Sequence, residues 1–328
     1  MSGKPSVAII GAGLSGLRLA QRLTPFMQVT VFEKSRGLGG RMSTRRTDGF
    51  AFDHGAQYFT ARSADFEAFL RPYLENGTVQ MWAPRLAQLS SAEAPPRWTA
   101  PRYVATPGMT GLAKAMAAEL TVHRAVQVDR LVRSGHQWQM LDAEENDLGR
   151  FDWVISTAPS LQTARLMPPA FAGHPSLEAA VMQGCYSLML GFDTPQMLNW
   201  DAAWVGQDPL AWIAVNTSKP GRPAQHCIVA QTSNRWADTN LERDQDTVRA
   251  ELISAVEAVT GLAASTAAYI SLHRWRYASV ATPSATPFLI DPDNRLAAAG
   301  DWCGAGKVEA AFDSASALAE ALEITLTG

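Results

Sequence analysis

Two kinds of hydrophobic pattern alternate along the chain. Near the start, Val7-Ala8-Ile9-Ile10 is a short apolar run that stops at a glycine, and Leu17, Ala20 and Leu23 then recur at helical spacing. A second run, Val29-Thr30-Val31-Phe32, is rich in β-branched residues and ends on Glu33. This predicts strand, glycine turn, helix, strand. Phe66, Phe69, Leu70 and Tyr73 predict a further helix, with Pro72 disturbing its end. Leu112, Met116 and Leu120 predict another, opening at Pro107-Gly108-Met109. Residues 126–132 and 137–140 read as strands, and Trp153-Val154-Ile155-Ser156 as a short buried one. The texture changes over residues 180–282, where Met189-Leu190-Gly191-Phe192, Ala211-Trp212-Ile213-Ala214-Val215 and Cys227-Ile228-Val229-Ala230 read as strands of an antiparallel sheet. Val248, Leu252, Val256 and Val259 mark one helix there. Leu296-Ala297-Ala298-Ala299 is a last strand, and a helix runs on to about residue 326. Residues 83–101, rich in Ala, Pro and Ser, carry no period and read as an excursion into a second domain.

Composition narrows the class. The 328 residues are 47% hydrophobic and 18% charged, which describes a globular protein with a sizeable core. The length corresponds to about two domains. A net charge of −3 argues against nucleic acid or an anionic membrane as the main partner. No window approaches the roughly 18 apolar residues of a membrane span, and the N-terminal run is too short for a signal-peptide core. The partner expected is a small-molecule substrate; oligomeric state is not legible. Cys185, Cys227 and Cys303 are far apart and odd in number, so they form neither a disulfide framework nor a metal pattern. Free thiols in a reducing cytoplasm fit.

The chemistry begins at Gly11-Ala12-Gly13-Leu14-Ser15-Gly16. Gly11 permits a tight turn, Gly13 lets the backbone approach a pyrophosphate, and Gly16 lets helix pack on strand. The helix start offers unpaired N–H groups and a positive dipole end to phosphate. Glu33 stands about 20 residues on, where a carboxylate accepts ribose hydroxyls. It also disfavours a 2′-phosphate, which it repels. The spacing predicts a dinucleotide site but does not separate NAD from FAD.

The next residues, Ser35-Arg36-Gly37-Leu38-Gly39-Gly40-Arg41-Met42-Ser43-Thr44, resemble the second fingerprint of the flavin-containing amine oxidase superfamily. Phe52-Asp53-His54-Gly55-Ala56-Gln57-Tyr58-Phe59-Thr60 resembles renalase and its bacterial relatives, the branch that oxidises isomeric dihydronicotinamide dinucleotides. Gly300-Asp301-Trp302-Cys303-Gly304-Ala305-Gly306 resembles the C-terminal flavin fingerprint, and 153–159 the strand behind the cofactor. The resemblance covers nearly the whole chain in family order. It implies an α/β fold, with a Rossmann-type FAD-binding domain built on a parallel sheet with helices. A smaller α+β substrate domain with an antiparallel sheet is implied beside it. The expected boundaries are 1–75, 104–178 and 283–328 for the first, and 76–103 and 179–282 for the second.

The resemblance also implies roles. FAD contacts fall on Gly11, Ala12, Gly13, Leu14, Ser15, Gly16, Glu33, Lys34, Gly40, Arg41 and Met42. Ala56, Gln57 and Tyr58 run beneath the flavin, Val128 holds the adenine through its backbone, Gly300 and Asp301 meet the ribityl or phosphate end, and the helix start with Val308 and Glu309 points at the isoalloxazine. Covalent relatives use a cysteine upstream of Gly-Asp, whereas Cys303 lies after it, so FAD is expected to be non-covalent. Of five lysines only Lys219 falls in the substrate domain, and it reads as a loop residue, which disfavours the usual amine oxidase with its water-holding lysine. The implied activity is an FAD-dependent oxidase taking hydride from 2- or 6-dihydro isomers of NAD(P), with O2 reduced to H2O2. His273, Trp275, Asn216 and Trp302 are the candidate ring-facing or anchoring residues, and Arg222 and Arg274 candidates for substrate phosphates. A histidine at a strand end also serves as a packing residue, surface arginines are common, and both roles stay open. The rivals are an amine oxidase or other C–H dehydrogenase on the same fold, and a flavoprotein whose FAD is structural.

Overall fold

The strand Ser6–Ile10 lies in the middle of a six-stranded sheet, with Gln28–Glu33 on one side and Trp153–Ser156 on the other, both parallel to it. Val122–Arg124 extends the first flank and Leu296–Ala298 the second, again in parallel, and Leu289–Asp291 closes one edge antiparallel. Val7, Ala8, Ile9 and Val154 have no exposure, as expected of strands covered on both faces. The helix Leu14–Leu23 crosses over between the first two strands, burying Leu17, Leu19, Ala20 and Leu23. The 21-residue helix Lys307–Thr327 packs beside it, with Arg18 over the Phe312 ring and Arg22 paired to Glu323 at 2.9 Å. A three-stranded antiparallel meander, Arg130–Ser134, Gln137–Leu141 and Asp147–Phe151, completes this unit.

This computed structural model describes residues 3–89 and 100–327. Packing divides the chain into two units: Met1–Gly40, Ala113–Met182 and Val280–Gly328 form one, and Arg41–Leu112 with Gln183–Ser279 the other. Residues 41–75 and 104–112 thus group by packing with the second unit and not with the dinucleotide motif. The physical reason is local: the hairpin of Arg45–Thr47 and Phe50–Phe52 packs on the strand His226–Thr232, and Phe50 and Phe52 share a cluster with Met189, Cys227 and Val229.

The second unit is built on a six-stranded sheet, in the order Tyr269–Thr282, Val181–Phe192, His226–Thr232, Leu210–Val215, Ala202–Gln207 and Leu86–Gln88. The His226–Thr232 strand pairs antiparallel with both neighbours, Leu210–Val215 pairs antiparallel with Ala202–Gln207, and the Leu86–Gln88 strand joins in parallel. One core joins Leu188, Leu190, Ile213, Ile228 and Ala230 of the sheet to Val248, Leu252 and Val256 of the helix Gln245–Thr260. Of the unpatterned stretch 83–101, residues 86–88 prove to be an edge strand, while 90–99 lie outside the described residues. The helix Ala64–Glu75 continues three residues past Pro72.

One strand falls elsewhere than the alternation predicts. Residues 126–129 belong to no strand; the strand is Arg130–Ser134. Ala125 has φ of 58°, which turns the chain as it leaves Val122–Arg124, and Val126 N–H then donates to the Glu33 carbonyl at 3.0 Å. Val128 is buried in the core of the first unit.

Trp302 anchors that core. It has no exposed surface, packs among Val154, Leu296 and Ala298, and donates its indole N–H to the Ala158 carbonyl at 3.0 Å. Trp302→Ala should cost about 3–5 kcal/mol, read as a lowered urea midpoint; an unchanged midpoint would show that the site collapses without loss.

Candidate functional site

The first unit carries the dinucleotide motif. Gly11 has φ of +109°, and a side chain there would strike Thr157 Oγ1 at 2.7 Å. A Cβ on Gly16 would lie 1.9 Å from the Gly11 carbonyl oxygen, so this glycine sets the closeness of helix to strand. Gly13 differs: a Cβ there meets nothing within 4 Å, and the protein's own packing leaves its position open. Gly13 is also the N-cap of Leu14–Leu23, which has neither a side-chain cap nor an acid in its first turn. Its N–H groups are available to an anion. Gly40 approaches from the following loop, its Cβ position 3.6 Å from Gly13 Cα, and Gly39 N–H donates to the Ala12 carbonyl at 2.9 Å. Ser15 Oγ is buried without a hydrogen-bond partner, a vacancy that natural interiors seldom leave.

Glu33 holds the turn before it can hold any ligand. One carboxylate oxygen accepts from Ala12 N–H at 2.8 Å and the other from Ser35 N–H at 2.8 Å. Each oxygen keeps a further acceptor position. Lys34 is exposed and donates to Gln162 Oε1 at 3.1 Å. At the C-terminal motif, Asp301 is buried, and its carbonyl accepts from Gly304 and Gly306 N–H. Ser314 Oγ accepts from Gly300 N–H, and Lys307 opens the long helix with φ of 79°, leaving Val308 and Glu309 half-buried in its first turn. The open position at Gly13, the orphaned Ser15 hydroxyl and the acid at the end of the second strand together fit an adenine dinucleotide such as FAD. Burial pushes the Cys303 thiol up to about 11, which leaves it un-ionised and unreactive.

The second unit holds a buried ionic network that is only partly legible from local spacing. Asp53 has no exposure. Burial pushes its carboxyl up, but Lys219 and Arg222 outweigh that and hold it at about 2. Arg222 reaches one carboxylate oxygen through Nη2 at 2.6 Å and Nε at 3.1 Å, and Lys219 Nζ lies 3.3 Å from the same oxygen. Thr44 Oγ1 and Met109 N–H donate to the other oxygen at 2.7 and 3.1 Å. Lys219, expected as an ordinary loop residue, does follow the turn Asn216–Ser218 but is buried. Its three N–H groups meet three acceptors: Asp53, Gln57 Oε1 at 3.1 Å and Asn216 Oδ1 at 2.8 Å. Burial lowers its pKa to about 8, with Asp53 opposing.

Several expected site residues are absorbed here. Asn216 has no exposure, and its amide bonds Lys219, Asp53 N–H and the Ala51 carbonyl, so it positions the network and does not anchor a substrate. Arg222, a candidate for substrate phosphate or an ordinary surface arginine, is committed to Asp53 and to the Ala105 and Pro220 carbonyls. Arg274 donates to the Leu241 carbonyl. Trp302 is core, as shown above. Gln57 donates to the Asp53 and Gly55 carbonyls while receiving Lys219. Ala56 N–H donates to the Arg41 carbonyl at 2.9 Å, Arg41 Nη1 to the Ala278 carbonyl, and Met42 is buried. Tyr58 lies between Trp82 and Trp212, with the Arg102 guanidinium over its ring.

His273 and Trp275 do come together, and His54 joins them. His54 stacks on Trp275 at 5.3 Å between ring centroids, while His273 meets His54 edge-on at 4.8 Å and Trp275 at 4.3 Å. Trp275 Nε1 and Ser187 Oγ both donate to the His54 carbonyl, at 2.8 and 2.7 Å. Burial, with Arg45 beside it, lowers His273 to about 4; burial, His273 and Arg45 do the same to His54. Both imidazoles are therefore neutral near pH 7. Asp53 and His54 were visible in the sequence, but nothing in their spacing linked them to partners more than 150 residues away. Among the described residues no group of His, Cys, Asp or Glu could hold a metal ion, and no helix is long and apolar enough to cross a membrane.

Residues 9–73 match the family model of the NAD(P)-binding Rossmann-like domain. A 4,4'-diapophytoene desaturase of Staphylococcus haemolyticus is 52% identical over 50 residues, which are 15% of this chain and 10% of that protein. The chain thus matches its curated relatives over about a tenth of their length. Solved structures resemble it end to end. A protein assigned as a protoporphyrinogen oxidase, from Exiguobacterium sp. 255-15, aligns over 99% of this chain and 100% of its own at 12% identity, TM-score 0.76. Putrescine oxidase bound to putrescine aligns over 98% and 99% at 14% identity, TM-score 0.71. Reduced UDP-galactopyranose mutase aligns over 100% and 97% at 12% identity, TM-score 0.73. At these identities the likeness establishes the α/β fold, with its Rossmann-like domain and added antiparallel sheet.

Two outcomes follow from this geometry. Glu33→Ala should weaken FAD binding by about 1.5–3 kcal/mol, the range for a charge-assisted hydrogen bond, measured by titrating apoprotein with FAD; unchanged affinity would place the ribose elsewhere. Asp53→Asn strands two buried cations and should destabilise the protein by about 3–5 kcal/mol. Because Asp53 titrates lower when folded, its contribution is full above its ordinary value near 3.8 and is lost as pH falls through about 2. Acid unfolding of the variant should lack that component, and matching acid profiles would refute the pairing.

Proposed function

We propose that the chain is an FAD-dependent oxidoreductase whose substrates are the 2- or 6-dihydro isomers of NAD(P). The overall reaction is dihydro-NAD(P) plus O2 plus H+ giving NAD(P)+ plus H2O2. FAD, when bound, supplies the hydride acceptor at N5 and passes the electrons to O2. Gly13, Ser15 and the N-terminus of Leu14–Leu23 hold its diphosphate region, and Glu33 its ribose. The cofactor stays non-covalent: Cys185, Cys227 and Cys303 are all buried, and burial pushes each thiol up to about 11.

The observation that carries this reading is the neutral, flat-faced cluster of His54, His273 and Trp275. A dihydropyridine becomes aromatic when it loses hydride, so no proton has to leave it and no base is required. The half-buried members supply what is required: the Trp275 indole and His273 imidazole, against which a planar ring stacks, and a His273 nitrogen able to accept from a carboxamide N–H, while buried His54 backs them. Holding the ring in a reactive attitude is then the protein's main contribution.

Amine oxidation is the second reading, and buried Lys219 is the observation in its favour. Against it, all three Lys219 N–H groups are occupied by protein acceptors, which leaves none to hold a water. Neither histidine titrates near 7, where a base for an ammonium substrate is most effective.

The two readings separate in one anaerobic experiment. Borohydride-reduced NAD, which contains the isomers, should bleach the flavin rapidly, and a panel of primary amines should not. Bleaching by amines alone would replace this reading with the second, and no bleaching by any donor would leave a structural flavin. His273→Asn should slow reduction by the isomers roughly two- to tenfold, the worth of one neutral hydrogen bond, with FAD still bound. Wild-type rates in that variant would show His273 to be a packing residue.

A further inference from the structure

Arg45 lies beside the His54–His273–Trp275 cluster and has no part in the roles described so far. On the strand Tyr269–Thr282, period-two alternation sets Ser271, His273 and Trp275 on one face. Arg45 joins that row by donating from Nη1 to Ser271 Oγ at 2.7 Å, and Ser43, two residues earlier, is 3.3 Å from His54 Nε2. Arg45 is half-buried. Among the described residues no carboxylate pairs with it; the nearby buried acid, Asp53, is already shared by Lys219 and Arg222. A half-buried guanidinium with one hydroxyl partner keeps four N–H donors for something else. Such a charge is costly to bury unless a counter-charge arrives. The neutral histidines cannot supply one, and both resist becoming cations next to it.

We propose that Ser43, Arg45, His54, Ser271, His273 and Trp275 form a binding site for the planar ring of a molecule that also carries an anionic group, and that Arg45 is its specificity-determining residue. The ring lies against Trp275 and His273, which buried His54 supports from behind, and the anion takes the open fork of the guanidinium, which suits carboxylate and phosphate geometry. An ammonium ion is rejected by the same charge. The site rests on the proposed function only in treating this cluster as the substrate side; its charge selectivity follows from Arg45 alone.

The test uses the FAD-loaded protein and two probes of like size and opposite charge, benzoate and benzylammonium, measured by isothermal titration calorimetry. Benzoate should bind the wild type at least about tenfold more tightly, the worth of one charge-assisted bond. Arg45→Gln should remove the preference, Arg45→Glu reverse it and Arg45→Lys keep it in part. Ser271→Ala, which removes only the hydroxyl that fixes the guanidinium, should reduce it and serves if the charge variants fail to fold. Equal binding of the two probes by wild type, no binding of either, or a preference unmoved by these variants would overturn the proposal. Benzoate selectivity lost with Arg45, in a protein whose flavin no dihydro-NAD(P) isomer bleaches, would uphold this site and sink the proposed substrate. Bleaching by the isomers with no charge preference would do the reverse.

Discussion

A carboxylate sealed from water sets the geometry of the second unit. Asp53 draws Lys219 and Arg222 inward from a turn more than 160 residues away, and each cation then bonds further groups. Lys219 orients the Gln57 amide, which returns two hydrogen bonds to the Asp53 and Gly55 carbonyls. Gln231 adds a donor to the Gly55 carbonyl, and Trp275 and Ser187 add theirs to that of His54. Three successive carbonyls are thereby fixed by side chains from other elements, so residues 53–55 are rigid though they belong to no helix or strand. Buried ion pairs are seldom net stabilising compared with apolar packing. The return here is placement: His54 stands where Trp275 can stack on it.

The first unit shows the same economy in a different form. Gly11 and Gly16 are glycines because the protein's own atoms leave no room, whereas a Cβ on Gly13 would meet nothing within 4 Å. Only the last of the three is explained by something the chain must accommodate. Glu33 likewise serves its own turn first, through Ala12 and Ser35, and presents the remaining acceptor positions outward. The turn is thus held by bonds within the chain itself, which is the preorganisation that tight cofactor binding requires.

What was legible in the sequence were features that local spacing dictates. The first strand, turn, helix and second strand fall where the apolar runs and glycines put them, as do the strands at 153–156 and 210–215 and the helix over 245–260. What escaped depends on distant partners. Lys219 read as a loop residue, Asn216 as a substrate anchor and Arg222 as a candidate for phosphate; only the fold reveals that Asp53, from the other end of the unit, meets all three. Trp302 read as a pocket residue because it sits inside a flavin-like fingerprint, but its indole points into the core. The strand expected at 126–132 failed because Ala125 takes a left-handed conformation, which no residue type there signals. His273 and Trp275, expected on the substrate side, are neighbours on one face of the Tyr269–Thr282 strand, where alternation brings them together.

On the proposed reading, the dinucleotide motif holds FAD by non-covalent contacts alone. The direct measurement is acid precipitation of the purified protein, followed by spectroscopy of supernatant and pellet. FAD in the supernatant at about one equivalent per chain, with a colourless pellet, is the result expected. Yellow colour that stays with the precipitated protein would contradict non-covalent binding, and a preparation that neither carries nor takes up FAD would contradict the account as a whole.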